Sequence, residues 1–211
     1  YSAEYDVLIQ SGRPSRDMVT GVPSGRIIAY DCSNSYAVLF DKSTGVNDGP
    51  YILYHDMIIM QDGDGGEAIE ILTGNTYTRT NPLTGQSEAW RFTRRYGCNT
   101  AVACENILTF RSGAAGYFDM KGGGTGNFGG FKSGCTSNLI PADGVLNAPD
   151  YTRTCTCGYQ NQTSLALVHM PDVEMWTYDG ASAASGPILK VGINFGASGD
   201  RVDENGVLWL D

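Results

Sequence analysis

Tyr51-Ile-Leu-Tyr54, Met57-Ile-Ile-Met60 and Glu67-Ala-Ile-Glu-Ile-Leu72 follow one another with short gaps, and Asn81-Pro-Leu-Thr-Gly85 and Glu88-Ala-Trp-Arg-Phe92 come next. Each apolar run has the length of a β-strand. Parallel strands need helical crossovers of a dozen residues or more, and the gaps here leave no room for them. The stretch therefore reads as an antiparallel meander.

The same grammar extends outward. Asp6-Val-Leu-Ile-Gln10, Arg26-Ile-Ile-Ala-Tyr30 and Tyr36-Ala-Val-Leu-Phe40 precede it, and Asn106-Ile-Leu-Thr-Phe-Arg111 and Gly116-Tyr-Phe-Asp119 follow. Turn signals punctuate the runs at Asn47-Asp-Gly-Pro50, Asp62-Gly-Asp-Gly-Gly66, Asn81-Pro82 and Ser112-Gly113. There Gly tolerates positive φ and Pro presets φ near −65°. No window of a dozen residues carries a helical apolar period free of Gly or Pro. The 28 glycines and 12 tyrosines of the 211 residues suit a turn-rich all-β chain.

Fourteen Lys and Arg face 23 Asp and Glu, a net charge of −9. That balance speaks against nucleic acid and anionic membrane surfaces as partners. No apolar stretch approaches the roughly 20 residues of a spanning helix, and YSAEYD at the start is not a signal peptide. Chain ends beside apparent strands suggest a piece of a longer polypeptide.

Phe40-Asp-Lys-Ser-Thr-Gly45, Glu70-Ile-Leu-Thr-Gly74 and Asn81-Pro-Leu-Thr-Gly85 each place a Thr-Gly turn after a strand, and the third leads into Trp90. An indole returning from such a turn can pack between neighbouring sheets, as in a propeller blade. The Thr-Gly-x4-Trp phrase resembles the repeat of quinoprotein-like (PQQ-like) β-propellers. Leu108–Gly116, Gly124–Phe131, Ser133–Asn138, Asn147–Cys157 and Tyr159–Leu165, with Val191–Gly196 and Asn205–Leu210, are similar to the C-terminal region of planctomycete-type proteins that carry such repeats. The resemblance implies a β-propeller-like stack of antiparallel four-stranded blades, partial or small, with a long Gly/Cys-rich loop region. Residues 1–120 are expected to form the blades. Residues 121–211 are expected to hold the loop region and closing strands of the same domain.

Six cysteines, Cys32, Cys98, Cys104, Cys135, Cys155 and Cys157, read as three disulfides made in an oxidising compartment. The alternative is a thiolate metal site, although only Cys155-x-Cys157 forms a close pair. Asp62-Gly-Asp-Gly-Gly-Glu67 resembles the front of a calcium loop, with Asp62, Asp64 and Glu67 as oxygen donors, and it also reads as a solvated hairpin turn. Asp200–Asn205 reads the same way. His55 and His169 are the only histidines. Neither stands beside a nucleophile signature, and His55 suits a structural hydrogen bond.

Gly122–Gly130 lacks the Lys-Ser/Thr and the helix of a phosphate loop. Its small residues would instead let a loop cross the propeller mouth, with Arg111, Asn127, Asn138, Tyr151 and Arg153 lining a ligand or partner surface. Asn161-Gln-Thr163 is a glycosylation sequon. These readings point to an extracytoplasmic (periplasmic, cell-surface or secreted) binding, structural or assembly module, with no catalytic residue and no cofactor other than calcium. Its partners would be another protein, its own copies, the rest of a longer chain, or a glycan. The alternative is part of a quinoprotein oxidoreductase domain with PQQ. That family's adjacent cysteine pair is replaced here by Cys155-Thr-Cys157, and four or five blades are too few for its eight-bladed pocket.

Overall fold

The computed structural model describes residues 1–12, 25–45, 50–61, 64–95, 97–129, 131–132, 139–149, 163–168, 177–178, 187, 192–193, 201–205 and 207–210. β1 (Val7–Gly12), β2 (Gly25–Asp31) and β3 (Ala37–Gly45) form a first antiparallel sheet. β4 (Ile52–Tyr54), β5 (Met57–Gln61) and β6 (Gly65–Glu70) form a meander, and β7 (Thr78–Thr80) pairs with β8 (Ser87–Ala89) in a separate hairpin. β9 (Arg91–Thr93) returns to the free edge of β6 and completes the second sheet. The third sheet contains β10 (Val102–Ala103), β11 (Ile107–Ser112), β12 (Ala114–Asp119) and β13 (Thr125–Asn127). β14 (Ile140–Ala142), β15 (Val145–Ala148) and β16 (Leu165–Val168) make the fourth. β17 (Thr177–Tyr178) then adds to the third sheet beside β13. β18 (Gly192–Ile193), β19 (Arg201–Val202) and β20 (Leu208–Leu210) form a last small sheet, in which β18 runs parallel to β20.

The first four sheets pack in chain order, with an apolar cluster at each junction. Val7, Ile27, Ala29 and Phe40 of the first sheet meet Ile58, Met60, Ile69 and Ile71. From the opposite side of the second sheet, Met57, Ile59, Ala68, Trp90 and Phe92 meet Leu108, Phe110 and Phe118 of the third. Ala115 of the third meets Leu139, Leu146 and Ala148. This explains the unbroken Met57-Ile-Ile-Met60: successive side chains point to opposite faces, and both faces are covered, so all of β5 is buried. Burying each such side chain contributes about 1.5–3 kcal/mol. Trp90 sits between two sheets as expected, edge-on to Phe118 with ring centroids 5.4 Å apart.

Two of the three Thr-Gly phrases form one loop geometry. Glu70 N–H donates to Asn75 O (2.8 Å) and Gly74 N–H to Glu70 O (2.8 Å); Asn81 N–H donates to Gln86 O (2.7 Å) and Gly85 N–H to Asn81 O (2.8 Å). The loop closes because Gly74 and Gly85 take φ of 66° and 70°. Asp119 N–H to Gly124 O and Gly123 N–H to Asp119 O, both 2.8 Å, repeat the pattern where the sequence has no Thr-Gly. Thr44-Gly45 differs, since it lies at the end of β3.

Three expectations are revised. The described sheets have from two to five strands instead of a uniform four, and none closes on itself. The Gly-rich segment is not all loop: residues 125–127 form β13, because a Cβ on Gly126 would stand 2.3 Å from Tyr117 Cζ, and the bare glycine lets that ring lie across the strand. Regular strands β14–β16 also occupy part of the region read as loops.

Candidate functional site

β5, β6 and β9 frame an open cleft of about 330 Å³, lined by Gln61, Asp64, Gly65, Glu67, Arg91 and Thr93 among others. The register sets Glu67 opposite Arg91 and Gly65 opposite Thr93. Arg91 Nη2 lies 3.7 Å from Glu67 Oε2, with both side chains more than half exposed. Glycines are needed at the floor: a Cβ on Gly65 would stand 2.2 Å from Phe92 O, and one on Gly66 2.1 Å from Met60 O. The result is a guanidinium and a carboxylate over bare backbone. An exposed pair of this kind is weak and water-screened, so the polar groups of a ligand can replace either partner.

Behind the cleft, Gln61 is 2% exposed and holds the second sheet to the third. Its Oε1 accepts from Ala101 N–H (2.5 Å), and its Nε2 donates to Pro50 O (2.9 Å) and Ala101 O (3.4 Å). Sequence reasoning missed Gln61. Its only signal is a polar residue ending a wholly apolar strand.

Of the calcium candidates, Asp64 and Glu67 line this cleft, while Asp62 lies outside the described residues. Among the described residues no three His, Cys, Asp or Glu side chains are grouped to hold a metal. Of the surface candidates, Asn138, Tyr151 and Arg153 lie outside the described residues. Asn127 is exposed and its Oδ1 accepts from Gly129 N–H at 2.8 Å, which is a local turn bond. Arg111 does not line a surface. It is 3% exposed on β11, its N–H donates to Asn99 Oδ1 at 2.8 Å, and Arg94 Nη1 donates to Asn99 O at 2.6 Å in the same buried polar layer.

Among Cys32, Cys98 and Cys104 no two are joined by a disulfide; the Cys32 thiol donates weakly to Tyr30 O at 4.0 Å. Cys135, Cys155 and Cys157 lie outside the described residues, as do His169 and Asn161. Asp203, in the second acidic cluster, organises a turn: its carboxylate accepts from Asn205 N–H, Val207 N–H and Trp209 Nε1–H, each at 2.9 Å.

His55 is held between two carboxylates. It sits between β4 and β5 at φ 47°, its Nε2 is 3.0 and 3.1 Å from the two carboxylate oxygens of Glu105, and its Nδ1 is 3.5 Å from Glu4. The Glu105 hydrogen bond raises its pKa above the ordinary 6.5, and Glu4 adds to the effect. Tyr54 O–H donates to Glu105 O at 2.9 Å and holds the same turn. In comparisons with protein-family models, curated proteins and solved structures, nothing matches the chain.

Proposed function

We propose that the chain is an extracytoplasmic binding and assembly module, with a propeller-like stack of blades as its scaffold and partners held at the sheet edges. The observation that carries this reading is the cleft over β5, β6 and β9. There, exposed Asp64, Glu67 and Arg91 collect beside a glycine floor, on a sheet whose two faces are both packed. A site on rigid strands presents polar groups at fixed spacing, which suits a polar ligand such as a glycan or a peptide carrying both charges. The resemblance to the repeat proteins supports an extracytoplasmic location, whereas no two of Cys32, Cys98 and Cys104 are joined by a disulfide.

Native mass spectrometry of the material as isolated, repeated after reduction and denaturation, tests the reading. The expected result is a 22.6 kDa chain in a non-covalent complex with its own copies, a protein or a glycan. Bound mass matching a quinone with calcium would overturn it in favour of the oxidoreductase alternative. The shift on reduction counts the cysteines held as disulfides.

A further inference from the structure

The first sheet has one face packed and one bare. Val7, Ile27, Ala29 and Phe40 point inward and are buried. With period 2 the intervening residues point out, and the register aligns them in rows across all three strands: Leu8–Tyr30–Val38, then Gln10–Ile28–Asp41, then Gly12–Arg26–Ser43. The first row is wholly apolar or aromatic, yet Leu8 is 41% and Val38 57% exposed. In the second and third sheets the apolar faces are covered by a neighbouring sheet.

We propose that this face is covered by the same face of a second copy of the chain. The inference rests on the assembly reading above and gives it a surface. Charge favours a copy over an acidic or basic partner. The charged residues in the three rows are Arg26 and Asp41, and they neutralise each other: Arg26 Nε donates to Asp41 Oδ1 at 2.7 Å, and Nη2 pairs with Oδ2. On a chain carrying −9, a locally neutral face is where two copies meet with least repulsion. A two-fold axis sets the Leu8–Tyr30–Val38 row against itself and leaves an ion pair of both signs at each rim, so no unmatched like charges oppose one another. Three strands spaced about 4.8 Å apart and about 20 Å long present roughly 300 Å² per copy, so roughly 600 Å² over both, below the roughly 1,000 Å² that a stable specific interface clears, which sets a weak, reversible dimer rather than an obligate one.

Sedimentation velocity on the full chain, over a concentration series at about 0.03 M and about 0.3 M salt, tests this. The expected result is a concentration-dependent dimer that tightens at the higher salt, because screening weakens the repulsion between the two −9 chains. Val38→Glu buries a carboxylate in the apolar row and should weaken the dimer by about tenfold or more. Leu72→Glu, at an exposed residue in the loop after β6, should leave it unchanged. A chain that stays monomeric throughout overturns the second-copy occupant, while the binding reading still stands or falls by its bound mass. A dimer insensitive to Val38→Glu overturns this face as the interface.

Discussion

Gly126 and Tyr117 offer a test of why a glycine-rich segment becomes a strand. A Cβ on Gly126 would lie 2.3 Å from Tyr117 Cζ, 2.5 Å from its hydroxyl and 2.7 Å from Cε1, against an ordinary contact of 3.4–4 Å. The ring would have to retreat by about 1 Å, yet it is 5% exposed and packed on Phe128 with centroids 4.6 Å apart. Gly126→Ala should therefore cost about 1–3 kcal/mol as an overpacking substitution. Tyr117→Leu removes all three clashing atoms. In that background Gly126→Ala should be nearly neutral, a coupling of about 1–3 kcal/mol in the double-mutant cycle. Urea unfolding followed by tryptophan fluorescence reads both costs from the midpoint at constant slope. Burial pushes the Tyr117 hydroxyl up to about 12, so alkaline titration gives a second readout, and the displaced ring of Gly126→Ala should titrate lower. An equal cost of Gly126→Ala in both backgrounds would refute the steric account.

Further outcomes are expected elsewhere. Gln61→Leu leaves the buried N–H and C=O of Ala101 without their side-chain partner, and should lower stability by about 1–3 kcal/mol in the same urea assay. Asn81→Asp should be more harmful than its small change in shape suggests. Asn81 Oδ1 still accepts from Leu83 and Thr84 N–H, but the amide that donates to Glu88 at 2.8 Å becomes a second carboxylate, and thermal melts at neutral pH should show the loss recovering on acidification. For His55 the folded pKa is raised, so its stabilisation is complete below the ordinary 6.5 and is lost as pH rises through the raised value. His55→Asn tolerates the positive φ. It should remove that slope from a plot of Tm against pH, and a slope persisting unchanged would assign it to other groups.

Much of the fold is legible in the residues. Every apolar run quoted from the first 120 residues contains or overlaps a strand, because four to six apolar residues between turn formers have few other ways to be buried. What escapes notice lacks an apolar signal. Thr78-Arg-Thr80 is largely exposed on both faces, and Gly126 takes part in a strand through what it omits. The loop at Asp119–Gly124 matches its relatives in backbone, with Asp119 Oδ1 accepting from Lys121 and Gly122 N–H at 2.9 Å, as Asn81 Oδ1 accepts from Leu83 and Thr84, although no Thr-Gly marks it. The cleft is half legible. Asp64 and Glu67 stand out as an acidic turn, but Arg91 joins them only through the β6–β9 register, which no local spacing reveals. Arg111 misleads because charged side chains are seldom buried, and the buried polar layer around Asn99 is visible only in three dimensions.

The placement of β17 has a consequence for biosynthesis. Thr177 and Tyr178 pair with Gly126 and Thr125, yet the whole of β14–β16 lies between them in the chain. During translation the outer edge of β13 must therefore wait, with its backbone donors and acceptors open, until the fourth sheet has been made and passed. A ribosome stalled within that interval would display an unpaired strand edge, the form of nascent chain most in need of a chaperone.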